Sequence, residues 1–193
     1  TCYNALDRHV IAGKGDQTAL ICAGDEIADV RKLTFHEMQR SVCQIANALL
    51  AKGVKKGDVV TIYMPMIPEL AMTILACARI GALHSVVFAG FSAEALAQRI
   101  AAASSKYVMT ADVGLRGGKR IHLLNIVRDA VAKTPDDLVD HVMVWERFFY
   151  AEDSTPPELQ GKELRMHVLT ADQRPYCPCA VMDAEDPLFL LYT

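Results

Sequence analysis

Tyr107 to Arg120, YVMTADVGLRGGKR, is the stretch from which the rest of the chain is read. It opens as an apolar strand, Tyr107-Val108-Met109, and breaks into a loop carrying Gly114, Gly117 and Gly118. A helical pattern headed by Lys119 and Arg120 follows. A strand, a glycine loop and a helix in that order form half of a βαβ unit. Arg116, Lys119 and Arg120 place three positive charges within five residues, around two glycines. A glycine backbone admits close approach of a ligand. A helix N-terminus adds unpaired N–H groups and partial positive charge. Together these features mark a candidate phosphate seat; the plainer alternative is a solvated basic turn.

Outward from this stretch the pattern alternates regularly. Val59 to Met64 (VVTIYM) is a near-continuous apolar strand, as expected when both sheet faces are covered. Pro65 and Pro68 break it and start a helix, ELAMTILACARIG, which is apolar almost all round and ends at Gly81. Ser85 to Phe88 reads as the next strand, and Ser92 caps a helix that aligns Leu96, Ala97 and Ile100. Beyond Lys119 a helix aligns Leu123, Ile126, Val127 and Ala130, and Val142 to Trp145 is a fourth strand.

Towards the N-terminus, residues 3–12 read as a short helix, Thr18 to Ala23 as a strand, Gly24-Asp25 as a turn and Arg31 to Leu33 as a short strand. Thr34 and Glu37 form a T-x-x-E capping box for a helix ended by Gly53. Residues 146–180 carry Pro156, Pro157, Pro175 and Pro178 and read as an irregular excursion, with a strand at Arg165 to Leu169. Asp183 to Asp186 reads as a solvated acidic turn, and Leu188 to Tyr192 as a buried strand.

Strands alternating with helices at this spacing imply right-handed crossovers and a parallel α/β sheet flanked by helices. Ligands of such sheets gather beyond the carboxyl ends of the strands. Two loops lie there: Phe88-Ala89-Gly90-Phe91-Ser92, and the loop around Arg116. Facing each other, they would set an apolar or stacking surface beside a basic seat, which suits an adenine nucleotide or coenzyme A. Taken singly, each Phe reads as a core residue.

Length and composition bound the alternatives. The 193 residues suit one ample domain or two small ones, and 52 % hydrophobic content is enough for a core. A net charge of −3 offers no broad field for nucleic acid or an anionic membrane. The apolar run near Leu75 contains Arg79 and is too short to span a bilayer. Six sparse cysteines fit reduced thiols in a cytoplasmic compartment, although a targeting segment ahead of Thr1 would not be visible. Cys177-Pro-Cys179 lacks the second pair that a zinc site needs, and His36-Glu37 is followed at position 40 by Arg rather than His, so no metal site is expected. No dinucleotide G-x-G-x-x-G follows the first strand, and no P-loop is present. No catalytic residue can be named from spacing.

Four longer stretches carry more. Val59 to Ala78, His84 to Leu96, Thr110 to Lys119 and Met182 to Thr193 together resemble the acetyl-coenzyme A synthetases of the adenylate-forming superfamily. The likeness runs over nearly the whole chain and is weakest from 146 to 180. Propionyl- and acetoacetyl-coenzyme A synthetases share much of the pattern. The resemblance implies part of the large N-terminal domain of that fold. It also implies a two-step reaction in which acetate and ATP, with Mg²⁺, give acetyl-adenylate, from which coenzyme A displaces AMP.

It further implies that Arg116, Gly117, Gly118 and Lys119 contact the phosphate-bearing end of coenzyme A, with Phe88, Ala89 and Gly90 beside its adenine nucleotide. Thr193 corresponds to the first residue of the ATP phosphate loop. The chain, which starts without Met, is therefore expected to be an internal fragment. The acyl pocket, the Mg²⁺ ligand, the catalytic lysine and the C-terminal domain would lie beyond it, leaving the fragment inactive alone. A propionyl- or other short-chain acyl-coenzyme A synthetase, a non-catalytic coenzyme-binding module of the same fold, and a structural partner domain remain as alternatives.

Overall fold

A computed structural model describes residues 1–24, 30–147 and 156–192. The strands are β1 (Thr18–Ala23), β2 (Val30–Thr34), β3 (Val59–Tyr63), β4 (Leu83–Val86), β5 (Tyr107–Ala111), β6 (Gly114–Arg116), β7 (Lys119–Ile121), β8 (His141–Trp145), β9 (Glu163–Arg165) and β10 (Phe189–Leu190). The helices are α1 (Phe35–Ala51), α2 (Pro68–Ile80), α3 (Ala93–Ala102), α4 (Leu123–Val131) and α5 (Met166–Ala171). Two five-residue helical turns, Tyr3–Asp7 and Val10–Lys14, precede β1 where one short helix is expected.

The chain divides into two compact units. One comprises Thr1–Gly57, Met66–Leu83 and Leu169–Leu188; the other comprises Asp58–Pro65, His84–Val168 and Phe189–Thr193.

In the first unit β1 and β2 form an antiparallel pair, and α1 packs on α2. The capping box at the head of α1 is present: the Glu37 N–H donates to Thr34 Oγ1 at 3.2 Å, and the Thr34 N–H donates to Glu37 Oε2 at 2.8 Å. Met38, Val42, Ile45, Ala46 and Leu49 fall on one face of α1 and are buried, as the periodicity requires. The apolar helix α2 ends at left-handed Gly81, in agreement with the sequence. Its single charged residue in the last turn, Arg79, is buried rather than exposed. Arg79 forms a two-pronged ion pair with Asp7 at 2.8 and 2.7 Å. Asp186 is paired with Lys56 at 2.9 Å and accepts from the Asp183 N–H, so the acidic turn is anchored rather than merely solvated.

The second unit is built on the six-stranded sheet, in the order β10-β4-β3-β5-β8-β9. The pairs β10–β4, β3–β5, β5–β8 and β8–β9 are parallel. The expected parallel α/β fold is therefore present. Val60, Ile62, Val108, Met109, Met143 and Val144 are fully buried along the central strands, which accounts for their unbroken apolar runs. Helix α4 packs on β5, and α3 lies beside α4. Ser105 fills a junction below the central strands, where its hydroxyl donates to the Val59 carbonyl at 3.0 Å and accepts from the Thr61 N–H at 3.1 Å.

The structure departs from the sequence reading in four further places. The strand expected at Ser85 to Phe88 runs two residues earlier, so Val87 and Phe88 already belong to the loop. The strand expected at Arg165 to Leu169 is instead β9, followed at once by α5, because Val142 to Val144 pair with Glu163 to Arg165. Leu188 to Tyr192 is not a buried strand. Only Phe189 and Leu190 pair, at the sheet edge, and Phe189, Leu191 and Tyr192 are exposed. The fourth departure, at Lys119 and Arg120, bears on the site. The turn expected at Gly24-Asp25 lies partly outside the described residues, as does Thr193 entirely.

Candidate functional site

Lys119 and Arg120 do not head a helix. They belong to β7, which pairs antiparallel with β6, and α4 begins only at Leu123. Gly117 and Gly118 form the turn of this hairpin, with φ of 55° and 74°. Two consecutive positive φ values match a two-residue type I′ turn, which the twist of a hairpin favours and glycine adopts without strain. The cationic cluster is thus a β-hairpin tip, and the helix-dipole contribution expected from the sequence is not at Arg116–Lys119. The signal in the sequence was the Gly-Gly pair between two short runs; the strong α4 pattern just downstream obscured it.

The hairpin register sorts the three cations. Arg116 pairs with Lys119, and Leu115 pairs with Arg120. Residues directly opposite each other on an antiparallel pair project to the same side. Arg116 and Lys119 therefore share one face, and Arg120 projects from the other. All three are exposed.

Among the described residues no atom lies within 4 Å of a Cβ placed on Gly117, so a side chain there meets open space but a disfavoured backbone. Gly117→Val is expected to cost about 1–3 kcal/mol through φ alone. Amide exchange at Leu115 and Arg120 should accelerate in the variant as the hairpin opens. Unchanged exchange would show that the turn tolerates a β-branched residue.

The second loop approaches the first. The Arg116 guanidinium carbon lies 5.7 Å from the centroid of the Phe88 ring, within cation–π range. A Cβ on Gly90 would come within 3.0 Å of Arg116 Nη1 and 2.6 Å of the Phe88 ring, so a side chain there would displace the ends of both. Phe88 and Phe91 meet edge to face at 6.1 Å, and both are exposed, at 58 % and 40 %. The reading of either one as core is corrected by these values. Ala89 sits between them at the turn, half-buried.

This loop is held from below. The Tyr63 hydroxyl at the end of β3 donates to the Phe91 carbonyl at 2.8 Å. Ser92 caps α3 by accepting from the Ala95 N–H at 3.3 Å. Arg99 of α3 stacks over Phe91 at 4.6 Å and over Tyr192 at 5.6 Å.

Sequence reasoning missed Asp112, at the end of β5. It is buried, and its Oδ1 accepts from the Val113 N–H at 2.7 Å and the Arg147 N–H at 2.9 Å. Its backbone N–H donates to the Trp145 carbonyl, and its carbonyl accepts from the Leu124 N–H. Burial pushes its carboxyl above the ordinary carboxylate range, against the pull of the two N–H groups. Asp112 thus fastens the end of β5 to the end of β8 and the start of α4, which fixes where the hairpin emerges. An isolated Asp after a strand carries no local pattern that would single it out.

Residues 7–193 match the family model described as AMP-binding enzyme. The chain belongs to the AMP-binding enzyme family. Among curated members it is 50 % identical over 191 residues to acetyl-coenzyme A synthetase 2 of Pseudomonas putida, covering 99 % of this chain and 29 % of that protein. It is 49 % identical over 191 residues to acetyl-coenzyme A synthetase of Phycomyces blakesleeanus, covering 99 % of this chain and 28 % of the relative. The chain therefore spans less than a third of the length of these family members. Among solved structures, Brucella canis acyl-CoA synthetase superposes with a TM-score of 0.76 at 23 % identity, over 97 % of this chain and 30 % of that one; this likeness shows the fold. Among the described residues of this family member, no helix is long and apolar enough to cross a membrane.

Proposed function

We propose that this chain is the coenzyme-holding part of the N-terminal domain of an AMP-forming acetate–CoA ligase. The full-length enzyme would make acetyl-coenzyme A from acetate, ATP and coenzyme A through an acetyl-adenylate. The observation that carries the reading is the approach of Arg116 to Phe88 and Gly90, two loops that the chain places 26 residues or more apart. The family membership and the names of the relatives support the reaction and favour acetate over a longer acyl group.

In this reading Arg116 and Lys119, on one face of the hairpin, grip a phosphate of the coenzyme. Arg116 does so through its planar fork and Lys119 as a point charge. Gly117 and Gly118 keep the tip free of side chains. Gly90 leaves backbone exposed beside Phe88, whose ring offers a stacking face to adenine, and Ala89 keeps that turn small. ATP, acetate and Mg²⁺ are engaged by residues beyond this chain, apart from the phosphate loop that would start at Thr193. No catalytic or metal-binding role is assigned to any residue of these 193. The free thiols accord with a cytoplasmic setting.

Binding that favours the folded state raises the melting temperature. Coenzyme A is expected to raise the Tm of the chain, and its 3′-dephospho form to raise it less. A Tm indifferent to millimolar coenzyme A would favour the structural-domain alternative, in which the hairpin is only a solvated turn. A shift with coenzyme A but no turnover in the full-length enzyme would favour the non-catalytic module.

A further inference from the structure

In the first unit the side chains of Cys2, Cys43, Cys177 and Cys179 gather near Arg79 or one another. The Arg79 guanidinium donates to Cys2 Sγ at 3.3 Å and, through Nε, to the Cys177 carbonyl. The Arg79 carbonyl accepts from the Ala180 N–H at 2.7 Å. One arginine therefore fixes both the N-terminal turn that carries Cys2 and the segment that carries Cys179. Cys2 Sγ, Cys179 Sγ and a carboxylate oxygen of Asp7 all lie within 4.8 Å of one another.

A cation is a poor occupant of this cluster. Both Asp7 oxygens already accept from Arg79, and the same guanidinium donates to Cys2. The one carboxylate of the cluster is already neutralised by Arg79, which leaves no negative charge for a metal ion. Two thiols held within reach of each other have a different chemistry open to them.

The geometry points to Cys2 and Cys179 as a reversible disulfide pair, closed by a peroxide and opened by thiols. Cys179 is half-buried, whereas Cys2 is only 2 % exposed, so Cys179 is the sulfur that meets the oxidant. The Cys179 thiolate attacks one peroxide oxygen and the O–O bond breaks. The departing hydroxide takes up a proton as water, and Cys179 is left as a sulfenic acid. The Cys2 sulfur then attacks the Cys179 sulfur, the S–O bond breaks and a second water leaves. The two thiols have lost two electrons, and the peroxide has gained them. Burial pushes the Cys2 thiol up to about 12, so the second step is slow, while the N–H of Arg79 on Cys2 Sγ supports the thiolate it needs. Closure would tie the N-terminal turn covalently to the segment after α5, across the end of α2.

The test treats the whole chain with hydrogen peroxide at neutral pH and quenches it in acid. Free thiols are then alkylated, and tryptic peptides are weighed without reduction. The expected product is the peptide containing Cys2 joined to the one containing both Cys177 and Cys179, lighter than their sum by two hydrogens and released by dithiothreitol, with fragment masses placing the link on Cys179 and the alkyl group on Cys177. In Cys2→Ser, Cys179 should instead proceed to the sulfinic acid. Recovery of parent Cys179 as sulfinic acid with Cys2 alkylated would overturn the proposal. So would a link from Cys179 to Cys177 or Cys43, or from Cys2 to Cys177. Because the parent chain gives the deciding fragment masses, the outcome does not depend on whether a variant folds.

Discussion

Asp7→Ala is expected to lower folding stability by about 3–5 kcal/mol, the usual cost of removing one partner from a buried ion pair. Arg79 is fully buried, with its side chain 2 % exposed, and Asp7 meets it with both oxygens. Without Asp7 the guanidinium keeps, among the described residues, the Cys177 carbonyl and the weak Cys2 sulfur as acceptors. Urea unfolding at about pH 7 would measure the loss. The double variant Asp7→Ala, Arg79→Leu should be more stable than Asp7→Ala alone, since it removes the stranded charge and leaves an apolar side chain in an apolar helix. A single variant within about 1 kcal/mol of the parent would mean that water reaches Arg79 once Asp7 is gone.

The same pair sets an acid limit. Burial alone would raise the Asp7 carboxyl, but hydrogen bonds from Arg79 and from Gln39, at 3.0 Å, outweigh it and hold the group below the ordinary carboxylate range. A carboxylate whose folded value is depressed contributes stability that is complete above the unfolded value of about 3.9. That contribution disappears as pH falls through the folded value. The gap between parent and Asp7→Ala should accordingly be widest near neutrality and close in acid.

Arg116→Ala, placed in an enzyme of full family length, is the second large expectation. Loss of a charged phosphate contact is worth about 1.5–3 kcal/mol. The Michaelis constant for coenzyme A should therefore rise roughly 10- to 150-fold, while that for ATP changes little. Arg120→Ala should be far milder, because the register sends Arg120 to the opposite face of the hairpin from Arg116 and Lys119. Equal Michaelis constants for coenzyme A in parent and Arg116→Ala would remove the hairpin from the coenzyme site. Equal losses for Arg116→Ala and Arg120→Ala would indicate a diffuse field rather than a gripping face.

The sequence announced the large elements because their signals are redundant. Strand β3 is unbroken apolar, α2 has proline at its start and glycine past its end, and α3 has its serine cap. The same signals placed Arg116 and the Phe88 loop beyond the strand ends, where they indeed meet. What escaped was whatever depends on partners remote along the chain. The hairpin strands are three residues each, too short to show a period of two, and basic residues beside a strong helix read as part of it. Strand β9 exists because β8 offers it an open edge. Arg79 looked like a break in an apolar run until its partner appeared 72 positions upstream. Asp112 gives no pattern because its work is done by hydrogen bonds to Val113 and Arg147.

The two-residue turn at Gly117-Gly118 has an evolutionary corollary. Side chains alternate sides along a strand, so a slip of one position exchanges the faces. Inserting or deleting a single codon between Arg116 and Lys119 would carry Lys119 to the wrong side while leaving the composition of the tip almost untouched. The spacing of these cations should therefore be kept more strictly through descent than their identity, with lysine and arginine interchanging at the fourth position while its distance from Arg116 stays fixed.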